Sequence, residues 1–169
     1  MKANTSNVIL IGMPGSGKST VGIILAKMTA RRFVDTDILI QNTEGRSLQE
    51  IIDSQGHMAL RRIEERVLTG LTCEHHVIAT GGSAVYSACA MDHLWHLGLL
   101  VFLDVEQAEL ENRIHNFHTR GLAKADHQTF ADLYAERYPL YVQYADLHIV
   151  CSHIPQDEVC DRIIRQAGL

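Results

Sequence analysis

The chain has little of what would place it in several large classes of protein. Its four cysteines, Cys73, Cys89, Cys151 and Cys160, show no C-x-x-C spacing, so neither a disulfide framework nor a zinc site is expected. No apolar run approaches the roughly 18 residues of a membrane-spanning helix, and the first seven residues are polar and lack a signal-peptide core. Positive charge is not in excess: the formal net charge of −5 argues against a grip on nucleic acid driven by overall charge. There are only three prolines, and no repeat, low-complexity segment or linker divides the chain. These absences leave a cytoplasmic protein in a reducing compartment. At 169 residues, with 46% hydrophobic and 21% charged residues, it reads as one domain able to bury a three-layer core.

The most informative stretch runs from Val8 to Thr20. An all-apolar run, Val8-Ile9-Leu10-Ile11, reads as a strand buried on both faces. It turns through Gly12, Gly15 and Gly17 and enters a helix. Gly12 to Ser19 fits the phosphate-binding pattern G-x-x-x-x-G-K-[ST]. Glycines let the backbone approach a ligand with successive N–H groups aimed at phosphate oxygens, and a helix N-terminus adds its positive end. Lys18, expected to face solvent from this nest, would reach the β- and γ-phosphates, and the Ser19 hydroxyl would ligate Mg²⁺. The loop residues Gly12, Gly15, Ser16, Gly17, Lys18, Ser19 and Thr20 are thus the expected ATP contacts.

Elsewhere, strands alternate with helices, which indicates a parallel sheet covered on both faces. The first helix, Lys18–Met28, carries Val21, Ile24, Leu25 and Met28 as its sheet-facing stripe. Phe33-Val34 is a strand ending in Asp35-Thr36-Asp37, followed by a helical turn or two over Ile38–Gln41. Ser47 and Glu50 form a capping box for a helix that Gly56 ends. The next helix, Met58–Leu71, turns Leu60, Ile63, Val67 and Leu71 inward. Its other faces carry Arg61, Arg62, Glu64, Glu65 and Arg66. Strands are expected at Val77–Thr80, Leu99–Leu103 and Leu147–Val150. Helices are expected at Ser87–Leu97, Glu106–Phe117 and Phe130–Tyr144, the last broken or kinked at Pro139. A final helix starts at Pro155. The polar run His118–His127 is the candidate mobile loop. All five strands are expected to be central, with the ligand at their C-terminal ends.

Those strand ends carry the remaining chemistry. Residues i and i+2 of a strand share a side, so Asp35 and Asp37 could both face the site. One would support Mg²⁺ through water and the other would accept a proton from an attacking hydroxyl; a polar strand exit capping the next helix is the plainer alternative. Gly81-Gly82 would allow close approach of a substrate or simply make a turn. Arg61 and Glu65 are spaced as a solvated helix-face pair. The histidine pairs His93/His96 and His115/His118 lack a carboxylate or cysteine to complete a metal-ligand pattern.

With these residues laid out, the chain resembles the shikimate kinases, small members of the phosphate-loop kinases. The likeness rests on the phosphate loop, Asp35-Thr36-Asp37, Gly45-Arg46-Ser47, the stretch Gly56 to Glu64, Thr80-Gly81-Gly82, Arg120, and Arg137-Tyr138-Pro139-Leu140-Tyr141. It implies an α/β three-layer sandwich with a five-stranded parallel sheet in the order 2-3-1-4-5. It also implies a lid at about 115–127, and ATP with Mg²⁺ phosphorylating the 3-hydroxyl of shikimate. Residue by residue, it implies Mg²⁺ support by Ser19 and Asp35, and Asp37 as the base on the acceptor. Arg61 and Arg137 would clamp the acceptor's carboxylate, and the Gly81-Gly82 backbone would contact it. Arg113 would lie against the adenine, and Arg120 would close on the phosphates. The family's third glycine is Ser83 here, its glutamate is His57, its phenylalanine is Leu60, and the proline after the lid arginine is Gly121. A kinase for a sugar acid or nucleoside-type acceptor is the nearest competing reading, and a nucleotide-binding module without transfer is a further one. A GTPase is disfavoured because Asp53-Ser54-Gln55-Gly56 ends a helix and no N-K-x-D motif exists. A monomer acting on a small anionic molecule, with neither nucleic acid nor membrane as partner, is expected.

Overall fold

The computed structural model describes residues 6–114, 122–125 and 127–169. Five parallel strands form one sheet in the order β2-β3-β1-β4-β5. They are β1 (Val8–Ile11), β2 (Arg32–Asp35), β3 (His76–Ala79), β4 (Leu99–Asp104) and β5 (Leu147–Val150). β1 lies in the middle, its four side chains fully buried, as its unbroken apolar composition requires. β2 and β5 are edges rather than central strands, and apart from the buried Ile149 their side chains are partly or fully exposed. An open sheet of five strands must have two such edges.

Eight helices are assigned among the described residues: α1 (Lys18–Met28), α2 (Thr36–Glu44), α3 (Leu48–Gln55), α4 (His57–Thr69), α5 (Ala88–Leu97), α6 (Gln107–Arg113), α7 (Phe130–Tyr144) and α8 (Gln156–Ala167). α1 buries Val21, Leu25, Ala26 and Gly22, whereas Met28 is 45% exposed and falls outside the expected stripe. The reason is local: α1 meets β2 through Gly22, where an added Cβ would lie 2.5 Å from the Phe33 ring. α2 is longer than the turn or two expected, because Asp35 caps it with bonds from the Asp37 and Ile38 amides. The Ser47/Glu50 capping box is present in both directions, and Gly56, in left-handed φ, separates α3 from α4. α6 stops at Arg113, short of the expected Phe117, and residues 115–117 lie outside those described.

Pro139 does not break α7, which runs unbroken through it. The helix loses one donor to the Ala135 carbonyl, but Ala135 is exposed and water can serve that oxygen. The helix therefore carries Leu133, Arg137 and Tyr141 into the interior on a continuous face.

At the opposite end of the sheet from the glycine loop, the buried Asn7 ties three segments together. Its Nδ2 donates to the carbonyls of Cys73 (2.7 Å) and Leu97 (2.8 Å), and its Oδ1 accepts from the His76 amide (2.9 Å). Substitution to Ala leaves those backbone groups unpaired. Asn7→Ala is expected to cost about 2–3 kcal/mol of unfolding free energy, read as a lower urea midpoint at unchanged m-value.

Candidate active site

The glycine loop follows β1 directly. Gly12, Gly15 and Gly17 have φ of 148°, 83° and 91°, values that L side chains rarely adopt. At Gly12 there is also no room: a Cβ would sit 2.8 Å from the Leu103 carbonyl of β4. Lys18 does not face solvent as expected. It is 8% exposed, and its Nζ donates to the Gly12 and Met13 carbonyls, each at 2.8 Å. The side chain folds back over the loop that carries it and helps hold it in shape. At the loop's outer edge, Arg113 pairs with Glu109 and donates to the Gly15 carbonyl at 3.4 Å.

Beside the loop lies a cavity of about 490 Å³. Its walls include Gly15, Gly17, Lys18, Ser19 and Thr20 on one side, and Asp37, Glu64, the Thr80–Ser83 turn, Arg113 and Arg137 on the others. Asp35 and Asp37 reach the site by different routes, not as two positions on one strand. The strand ends at Asp35 and the helix begins at Thr36, so the two-residue period does not extend to Asp37. Asp35 is both helix cap and partner of the loop: Ser19 Oγ donates to its Oδ2 at 2.5 Å. Asp37 projects from the first turn of α2 into the cavity.

The turn after β3 is held from both sides. The Gly81 amide donates to Thr36 Oγ1 (3.1 Å), and the Gly82 carbonyl accepts from the Tyr141 hydroxyl (2.6 Å). A Cβ on Gly82 would lie 2.9 Å from Arg137 Nη1 and 3.0 Å from the Pro14 ring, so only glycine lets these groups share the cavity wall.

Arg137 is 1% exposed. Its Nε donates to the Tyr86 hydroxyl (3.1 Å) and its Nη2 to the Ala123 carbonyl (2.9 Å). Burial opposes its charge, but the Tyr141, Tyr86 and Glu64 groups around it more than offset that, and its pKa is raised. Arg61 does not pair with Glu65, which instead accepts from Ser87 Oγ at 2.5 Å. The Arg61 guanidinium lies over the Tyr86 ring, 3.6 Å from its centre, and Nη2 donates to the same Ala123 carbonyl at 3.2 Å. The two arginines are thus brought together, although Arg61 lines a smaller adjoining cavity of about 190 Å³ rather than the main one.

Glu64 is the largest departure from the sequence reading, which placed it on an outer face of the helix. It is 3% exposed, accepts from Ser83 Oγ, and leaves Oε1 without a partner among the described residues. Burial, and then the nearby Asp37 charge, raise its pKa to about 7. One signal was available: Arg61 and Glu64 are three apart and share a helix face. Thr36 and Tyr141 lie within motifs that carry the resemblance but were given no role there, and nothing local marks Tyr86. The histidine pair His93/His96 bonds to the backbone carbonyls of Leu71 and Asp92, and no cluster of metal-ligating side chains occurs among the described residues. His115, His118, Arg120 and Gly121 lie outside the described residues, as does most of the expected lid.

A parallel 2-3-1-4-5 sheet, with a glycine-lysine-serine loop after the central strand and acids at the next strand end, defines a phosphate-loop phosphotransferase. The family model for shikimate kinase matches residues 14–167. The shikimate kinase of Rippkaea orientalis (strain PCC 8801 / RF-1) is 44% identical over 149 residues, covering 86% of this chain and 79% of that protein. The shikimate kinase from Acinetobacter baumannii in complex with shikimate superposes with a TM-score of 0.90 at 29% identity, over 97% of this chain and 93% of that one. The Aquifex aeolicus enzyme gives 0.83 at 30% identity, over 96% of each chain. This chain belongs to the shikimate kinase family, and is accordingly an ATP-dependent phosphotransferase.

The raised pKa of Glu64 has a consequence for stability. Between about 4.5 and about 7 the folded protein holds a proton there that the unfolded chain has released, so stability falls as pH rises through that window. Glu64→Gln is expected to flatten this loss, which is on the order of 3 kcal/mol. Urea unfolding from about pH 5 to about pH 8 compares the two; identical slopes would exclude Glu64 as the titrating group.

Proposed function

We propose that this chain transfers the γ-phosphoryl group of ATP to the 3-hydroxyl of shikimate. The observation that carries this reading is the buried Arg137 guanidinium in the same cavity as the phosphate loop, with Arg61 converging on the same oxygen. One end of the cavity suits phosphates, and the other suits a carboxylate held by planar forks.

In this reading Gly12, Gly15, Ser16, Gly17 and Thr20 cradle the phosphates, and Lys18 turns from its loop carbonyls to neutralise them. Arg113 borders the nucleotide. Ser19 Oγ and the Asp35 carboxylate, already in contact, are the hard oxygen donors that fit Mg²⁺. That ion would offset charge on the β- and γ-oxygens. Asp37 takes the proton of the attacking hydroxyl while the new O–P bond forms and the bond to ADP breaks. Gly81 and Gly82 let the acceptor lie against the turn. Arg120, and a lid at about 115–127, keep the roles that the resemblance implies. We further propose a single domain acting as a cytoplasmic monomer on small molecules, not on nucleic acid or membrane. The net charge of −5 and the four unpaired cysteines support this.

Two sets of variants test the reading by ADP release from ATP·Mg²⁺. Asp37→Asn should lower kcat roughly 10²–10⁴-fold with ATP binding retained; a collapse in Asp35→Asn alone would reverse the two assignments. Arg61→Ala should raise the KM for shikimate roughly 10- to 150-fold with that for ATP little changed. Arg137→Lys, which keeps the charge but loses the fork, should move KM in the same direction. Wild-type protein that accepts a carboxylate-free analogue as readily as the acid, or ignores shikimate, would defeat the assignment.

A further inference from the structure

Tyr86 ends a single 3₁₀ turn, Ala84–Tyr86, that follows the Gly81–Ser83 wall of the cavity. It is only half-buried, and its neighbours are not those of a packing residue. The ring face carries the Arg61 guanidinium at 3.6 Å. The hydroxyl accepts from Arg137 Nε at 3.1 Å. Arg61 has one hydrogen bond among the described residues, from Nη2 to the Ala123 carbonyl, and its Nε is buried without a partner. The plane of that guanidinium is therefore set by the ring beneath it. Arg137 is fixed at the other end of the same side chain, which leaves its Nη2 to meet Arg61's on one oxygen.

We propose that Tyr86 is a positioning residue for acceptor binding: its ring orients Arg61 and its hydroxyl orients Arg137, so that both guanidinia converge on one carboxylate. This rests on the carboxylate-clamp reading above. A stacked cation and a fixed fork lose less freedom on binding than two independent long side chains. The convergence on the Ala123 carbonyl, at 2.9 and 3.2 Å, shows that the two donors can share a single oxygen acceptor.

Two variants separate the two contacts. Tyr86→Phe keeps the ring and removes the hydroxyl, and should raise the KM and Kd for shikimate about 5-fold. Tyr86→Leu removes both contacts, and should raise them about 30-fold. In each, kcat and the KM for ATP should stay within about 2-fold of wild type, because neither contact changes between ground and transition state. Preference for shikimate over the analogue bearing hydroxymethyl in place of the carboxylate should shrink by the same factors. On an Arg61→Ala background, Tyr86→Leu should add only the Arg137 part of its effect. Equal losses for acid and analogue, or a fall in kcat alone, would show a merely structural role and overturn the proposal. An unchanged KM in Tyr86→Leu, with wild-type preference for the acid intact, would overturn it while leaving the clamp standing. Wild-type protein with no preference for the acid would overturn both.

Discussion

Parallel pairing of the five strands is the constraint from which the site follows. β1 pairs with β3 on one side and β4 on the other, with Leu10 opposite both Ala79 and Val101. β2 is added with Asp35 opposite Ala79. All strands therefore exit at the same edge, and Gly12, Thr36, Thr80 and Val105 begin their connections within one region. A phosphate loop, a capping carboxylate and a glycine turn meet there without any need for long excursions of the chain. Ligands of open α/β sheets sit at this edge for the same reason.

The edge concentrates charge that the interior must tolerate. Lys18 and Arg137 are buried cations, Glu64 is a buried acid, and Asp37 faces the same space. Each is held by neutral hydrogen-bonding groups as much as by opposite charge: loop carbonyls for Lys18, Tyr86 and Ala123 for Arg137, and Ser83 for Glu64. Such an arrangement satisfies the side chains yet leaves their charge available, since a carbonyl or hydroxyl partner can be exchanged for a phosphate or carboxylate at small cost. Glu64 lies at the limit of this tolerance. Among the described residues its Oε1 has no partner, and burial raises its pKa to about 7.

Ser83 closes the turn after β3, and its hydroxyl is the donor to Glu64. It therefore places a polar anchor for Glu64 in the cavity wall. Tyr86, three residues on, does the same for the arginines. The short segment from Gly81 to Tyr86 thus determines how the acidic and basic side chains of α4 and α7 face each other.

By itself, the sequence determined the elements and the phosphate end of the site. β1, the glycine loop and the α1 start are encoded by contiguous residues, and the Ser47/Glu50 box and the Gly56 break are local chemistry legible at a spacing of a few positions. The resemblance added the sheet order and picked out Arg137, together with Arg61, whose spacing from Glu65 alone suggested only a solvated surface. The inward positions Leu60 and Ile63 of α4 were legible, but tertiary structure alone decided that its buried face extends to Glu64, which went unrecognised. It also decided that Pro139 would be carried within a helix whose face is needed to bring Arg137 inward, and that Asp37 would arrive from a helix turn. Lys18 turned out to be folded onto its own loop, and Tyr86 to lie between two arginines 25 positions before and 51 positions after it, as no local pattern could show. Local rules act over one turn or one strand period, whereas these contacts exist only once α4, α7 and the turn after β3 have packed against the same edge.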